Sequence, residues 1–176
     1  GFGRTGNWWG SQTFHIEPDI VTCAKAPSSA YLPISAVLIK EPMFEAFQKN
    51  SEKLGIFGHG FTYTAHPACA AAAVKTLELT EDRALAAHAA AMSPRFLKRL
   101  HSFADHPLIG EARGVGLMGA LELSSDKAAR KPMDPALKMG AKLADMVMAE
   151  GLIVRPMPGD AVAFCPPLII SEKEID

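Results

Sequence analysis

Two apolar, β-branched runs, Asp19–Ala24 and Ile34–Ile39, read as strands near the start of the chain. Glu41-Pro42-Met43-Phe44-Glu45-Ala46-Phe47 begins a short amphipathic helix with proline in its first turn. A glycine-rich loop is expected over Asn50–Ala65, then a helix over His66–Leu79 with Pro67 at its start. The alanines from Ala68 to Ala73 would let neighbouring backbones approach that helix closely. Glu81–Phe103 is again helical in pattern, and Ser93-Pro94 either restarts the helix or kinks it. Strands follow at Ile109–Arg113 and Leu117–Leu123, joined through Gly114 and Gly116, with a polar surface loop over Ser124–Asp134. Leu137, Ala141, Ala144 and Val147/Met148 give Pro135–Glu150 one buried helical face, closed by Gly151. Short strands at Leu152–Arg155 and Ala161–Phe164 flank a Pro-Met-Pro-Gly-Asp turn.

This alternation predicts an α/β chain in two parts: an α/β layer over residues 1–80 and a smaller α+β region over 81–176. The length, 176 residues, suffices to bury a core. A hydrophobic content of 48% against 21% charged residues excludes a disordered chain. The net charge of −1 gives no electrostatic footprint for nucleic acid. No stretch approaches the roughly 20 apolar residues of a membrane span. The opening Gly-Phe-Gly-Arg lacks the pattern of a signal peptide. Three well-separated cysteines, Cys23, Cys69 and Cys165, suit reduced thiols in a cytoplasmic protein. No cysteine or histidine pair has metal-site spacing. Ser171-x-x-Glu174 is a capping box two residues before Asp176, so the pattern is that of a chain entered and left in mid-fold, with apolar surface uncovered at its edges.

Lys25 is the outstanding chemical candidate. It ends an apolar run and precedes the turn-like Ala26-Pro27-Ser28-Ser29, whereas the other lysines sit among charges. Burial disfavours an ammonium ion, and a neutral amine is what imine formation with a carbonyl needs. A strand-end lysine reaching out to water is the plain alternative. Thr62, in the glycine-rich loop just before a helix start, is placed either to bind an anion or to serve an ordinary turn. Arg155 beside a Pro-Gly turn is suited to clamp a carboxylate, or to pair with Asp160. The two G-x-G-x-x-G matches, Gly1–Gly6 and Gly114–Gly119, lack the strand-before, helix-after context of a dinucleotide site and read as turns and close packing.

Gly1-Phe2-Gly3-Arg4-Thr5-Gly6, Ile16-Glu17-Pro18-Asp19, Ala24-Lys25-Ala26 with Tyr31-Leu32-Pro33, and His59-Gly60-Phe61-Thr62-Tyr63 with His66-Pro67 occur in that order. Together they resemble the class III aminotransferases of fold type I, in particular the omega-amino acid or amine:pyruvate branch. The resemblance implies the end of a large domain over 1–80 and most of a small C-terminal domain over 81–176. It implies pyridoxal 5'-phosphate (PLP) as cofactor, held by Lys25 as an internal aldimine, with Lys25 later moving the proton. It implies that Phe61 and Thr62 reach the cofactor phosphate of a neighbouring subunit, making a homodimer with shared active sites. Arg155, in Leu152-Ile153-Val154-Arg155 with Gly159-Asp160 and Pro166-Pro167-Leu168, matches the arginine that binds the substrate carboxylate and swings aside for uncharged amines. The substrates implied are a small-molecule amine or omega-amino acid and a keto acid such as pyruvate. The aspartate that partners the pyridinium nitrogen belongs to a segment ahead of Gly1, and Asp19 does not match it.

Pro27 departs from the family pattern. It is expected to push Ala26 towards extended geometry and so to displace the lysine nitrogen. The absent pyridinium acid and the abrupt ends favour an alternative, a non-catalytic truncated fragment or dimer partner, to which Pro27 adds. A PLP lyase, decarboxylase or racemase on the same fold is a further alternative.

Overall fold

The computed structural model describes residues 1–176. They form two compact units: Ser11–Arg83 with Phe2, and Ala84–Asp176 with Gly1 and Gly3–Gly10.

In the first unit, a single turn of helix, α1 (Gly10–Thr13), precedes β1 (Ile20–Ala24) and β2 (Ser35–Ile39). The strands pair antiparallel, Ile20 opposite Ile39 and Ala24 opposite Ser35. The apolar run around β1 predicted a buried strand. Instead its residues alternate between exposed and half-buried, and Lys25 beyond it is exposed. A two-stranded sheet has no second layer of its own to cover its faces.

Helix α2 (Glu41–Leu54) runs further than its sequence predicted, into the expected loop. Asn50 and Ser51 donate from their side chains to the carbonyls of Ala46 and Phe47, four residues back, at 3.0 and 2.8 Å. Their polarity is thus absorbed within the helix, and the stop comes at Gly55, with φ 73. Helix α3 (Pro67–Asp82) packs against a 3-10 turn at Ala26–Ser28 immediately after Lys25. Only Ala73 and Pro27 of this unit's apolar side chains are buried.

The core lies in the second unit. Helix α4 (Leu85–His101) starts after Ala84, whose φ is 48, so the helical pattern breaks at Arg83–Ala84 rather than at Ser93-Pro94. Pro94 sits inside α4 and withholds one N–H from the ladder. Burial of Ala89, Phe96 and Leu100 on either side of it keeps the helix whole. Strands β3 (Ile109–Val115) and β4 (Met118–Asp126) form a hairpin, and β5 (Lys131–Pro132) pairs with the far end of β4. The expected surface loop over 124–134 is therefore partly sheet. The Ser124 hydroxyl donates to the Lys131 carbonyl at 2.7 Å, and Met133 is buried.

A 3-10 turn, Pro135–Leu137, and helix α5 (Met139–Ala149) replace the single helix expected there, separated by Lys138 with φ 50. Strands β6 (Arg155–Met157) and β7 (Ala161–Phe164) complete an antiparallel sheet ordered β3-β4-β7-β6. β6 starts at Arg155, where the sequence had predicted a strand ending; its proline is tolerated because β6 is an edge strand. The terminal turn α6 (Glu172–Ile175) has both bonds of its capping box.

Leu100, Ile109, Leu121, Leu123 and Met133 make one apolar cluster, and Ala89, Phe96, Leu117, Ile170 and Ile175 another. The segment Gly114–Gly119 is the β3–β4 turn. A Cβ on Gly116 would lie 2.3 Å from the Arg4 carbonyl oxygen, and one on Gly119 would lie 2.5 Å from Leu100 Cδ2. Close packing, not nucleotide binding, accounts for these glycines.

Candidate active site

β1 delivers Lys25 to a tight reversal. Lys25 has φ 65 and ψ −73, the strained γ-turn region that L-residues rarely occupy. Ser29 and Ala30 follow with φ 51 and 62, so three non-glycine residues within six have left-handed backbones. The turn is held by its own hydrogen bonds. Ala30 N–H donates to the Lys25 carbonyl at 3.0 Å, Ser29 N–H to Ala26 O at 2.9 Å, and Tyr31 N–H to Ser28 O at 3.0 Å. The Ser28 side chain, with no exposed surface, donates to Leu32 O at 2.5 Å.

Pro27 fits here without displacing its neighbours. It is buried in the first turn of the 3-10 segment, where no intrahelical donor is required, and Ala26 is itself part of that turn rather than extended. Lys25 lines an open cleft of about 360 Å³ with Thr22, Cys23, Ala24, Ser35, Ala36 and Val37. Lys25 makes no ion pair. Asp19 is paired with Lys40 at 3.0 Å and lies outside the cleft lining.

Phe61 and Thr62 are exposed and do not line this cleft. They open a turn that Thr64 closes: Phe61 N–H donates to Thr64 Oγ1 at 3.1 Å, and Thr64 N–H to Phe61 O at 3.0 Å. Thr62 thus has its neighbour's hydroxyl, not its own, committed to the turn. The turn leads directly through His66 into the N-terminus of α3. Phe61 stands edge-on to His59, ring centres 5.3 Å apart, in an exposed aromatic run that continues to Phe57 and Phe47.

Arg155 belongs to the other unit, at the start of β6 opposite Ala163. It is exposed and forms no ion pair. Its suspected partner Asp160 is engaged elsewhere: Gly140 N–H, in the first turn of α5, donates to Asp160 Oδ1 at 2.9 Å. A carboxylate at a helix N-terminus is favourably placed, and the Arg155 guanidinium is left uncommitted.

Sequence reasoning passed over Ser28, whose burial emerges only once the turn is folded, although Pro-Ser-Ser marked the turn. It also assigned nothing to Arg4. That guanidinium donates to the carbonyls of Leu117 and Pro166 at 3.0 and 2.6 Å, tying the β3–β4 turn to the chain just after β7.

The family model for class III aminotransferases matches residues 1–176. The chain is 42% identical over 178 residues to the diaminobutyrate–2-oxoglutarate transaminase of Halomonas elongata, covering 100% of this chain and 38% of that protein. It is 40% identical over 176 residues to the chloroplastic gamma aminobutyrate transaminase 3 of Solanum lycopersicum, covering 100% of this chain and 34% of that one. The omega transaminase from Pseudomonas jessenii, solved in complex with PMP, superposes with a TM-score of 0.94 at 46% identity, over 99% of this chain and 38% of that one. The chain therefore belongs to the class III aminotransferases, and shares part of their mixed α/β fold. It spans less than half the length of the relatives it matches.

Proposed function

We propose that this chain supplies the lysine-bearing part of a PLP-dependent aminotransferase, which moves an amino group from an amine or omega-amino acid to a keto acid such as pyruvate. The observation that carries the reading is Lys25, held in a strained backbone at a strand end and facing an open cleft. Class III aminotransferases depend on PLP, and one solved relative was captured with PMP. The residues present fit that group in part: the Lys25 amine lines the cleft, and Thr62 stands in the turn that leads into α3. PLP, when bound, supplies the electron sink that stabilises negative charge at the substrate carbon.

In this reading Lys25 Nζ holds the cofactor covalently. The same amine, when free, would move a proton at the substrate carbon. Thr62, with the N–H groups opening α3, binds phosphate, and together with Phe61 does so for the site of a partner subunit. The homodimer and its shared sites are part of this proposal. Arg155, unpaired, clamps a substrate carboxylate. Residues 1–80 are assigned to the cofactor-binding large domain and 81–176 to the small domain. The free cysteines favour a reducing compartment, which we take as the cytoplasm. No helix is long and apolar enough to cross a membrane.

The test is borohydride reduction of the PLP-loaded polypeptide that carries this chain, followed by peptide mass mapping. A pyridoxyl mass is expected on the Lys25 peptide and is expected to vanish in Lys25→Ala, together with keto-acid-dependent amine transfer. Labelling confined to other lysines would refute the assignment.

A further inference from the structure

We infer that Ser28 is a positioning residue for Lys25, and that its buried hydroxyl holds the strained backbone from which the lysine enters the cleft. The inference rests on the reading of Lys25 as the cofactor-holding amine.

The unusual backbone needs a restraint. Positive φ at Lys25, Ser29 and Ala30 puts three L-residues in left-handed conformations, each carrying a steric cost that surrounding contacts must offset. Three main-chain bonds, Ala30 to Lys25, Ser29 to Ala26 and Tyr31 to Ser28, stitch the reversal internally. None of them reaches beyond Tyr31. The bond from Ser28 Oγ to Leu32 O does, and it draws together the 3-10 turn and the chain leading to β2. Ser28 is also where the turn is sealed. It has no exposed surface and lies in the segment that packs on α3, whereas Lys25, three residues earlier, is exposed at the cleft. A buried hydroxyl with one strong acceptor costs free energy when that bond is lost, because its partner carbonyl is left unsatisfied.

Serine is also a fitting residue for the place. Its hydroxyl reaches a carbonyl four residues on, as serine does in turns. Alanine would keep the bulk of the side chain but release Leu32 O. The turn would then relax around Lys25, and a displacement of about 1 Å at a reacting group lowers rate roughly a hundredfold.

Ser28→Ala is compared with Thr80→Ala in the PLP-loaded polypeptide that carries this chain. Thr80 is a control for general destabilisation: it is also buried, but its hydroxyl bonds to Thr76 O within α3. Three quantities are read: the share of pyridoxyl label on Lys25 after reduction, the pH midpoint of the bound cofactor's visible absorption, and kcat/KM. In Ser28→Ala, label is expected to spread to other lysines, the midpoint to move, and kcat/KM to fall about a hundredfold. Thr80→Ala is expected to keep the label and the midpoint even where its melting temperature drops. If Ser28→Ala fails to fold, Ser28→Cys preserves the volume with a weak donor, and the same shifts are expected in reduced form. An unchanged label and midpoint in the folded Ser28 variant would overturn the inference while leaving Lys25 in its role. Absence of label on Lys25 in the unsubstituted protein would instead refute the reading of Lys25 itself.

Discussion

At the scale of single residues, commitment to a partner decides what a charged group is free to do. Asp19 is neutralised by Lys40 and Asp160 by a helix N-terminus, while Lys25 and Arg155 have no ionic partner. Arg155→Ala is expected to raise KM for carboxylate-bearing amine donors roughly ten- to hundredfold, the worth of hydrogen bonds to a charged group. It is expected to leave KM for uncharged amines near its original value. Steady-state kinetics with a matched pair of donors checks this, and equal effects on both would remove Arg155 from carboxylate binding. The identity of these residues was legible in the sequence, since each sits in a motif. Their freedom was not, because whether Asp160 faces Arg155 or Gly140 depends on how the β6–β7 turn docks on α5.

At the scale of elements, close contacts set the tolerances. Gly116 combines φ 59 with a main-chain neighbour 2.3 Å from where a Cβ would be, so Gly116→Ala is expected to cost about 1–3 kcal/mol, in the range of an incompatible backbone substitution. Denaturant unfolding measures it, and an unchanged midpoint would contradict the geometry.

Helix α6 makes a pH-dependent attachment. The Ser171 hydroxyl and N–H hold the Glu174 carboxyl below the usual carboxylate range, and the Arg95 guanidinium does the same for Asp176. Both groups therefore bind protons less readily when folded. Their contribution is present above the ordinary carboxylate pKa of about 4 and is lost as pH falls through the lowered values. Arg95 itself is raised, chiefly by its bond to Asp176, and that bond holds at neutral pH and weakens with the protonation of Asp176. The protection factor of the Ile175 amide, its exchange rate corrected for the intrinsic pH dependence, is expected to fall below about pH 4 and to stay level between about pH 6 and 8. Most strands and helices were read from periodicity, though β5 and the 3-10 turn before α5 were not, and boundaries shifted wherever a side chain satisfied the backbone locally, as Asn50 and Ser51 do in α2, or wherever packing overrode a breaker, as in α4.

At the scale of the molecule, the two units differ in how they are completed. Both apolar clusters are in the unit that carries Arg155, whereas the unit that carries Lys25 exposes Phe44, Phe47, Phe57, Phe61 and Tyr63. A shared dimeric site predicts complementation between subunits. Lys25→Ala and Thr62→Glu, the latter placing a negative charge where phosphate is expected, should each be nearly inactive alone. Refolded together, they should regain amine transfer, because one site in each mixed dimer receives an intact Lys25 and an intact Thr62. Failure of the mixture to exceed its components would place Thr62 outside a partner's site.

The sequence by itself determined the family, because that follows from side-chain identity and order along the chain, and it marked the residues proposed above to carry the chemistry. It also determined the sites of the main turns, since glycine, proline and serine restrict the backbone locally. Tertiary structure alone decided that the turn after Lys25 packs on α3 with Ser28 buried, and that Asp160 serves α5 and leaves Arg155 free. Each of these depends on which distant groups meet, and an apolar run or a charged residue records only the need for a partner, not which one it finds.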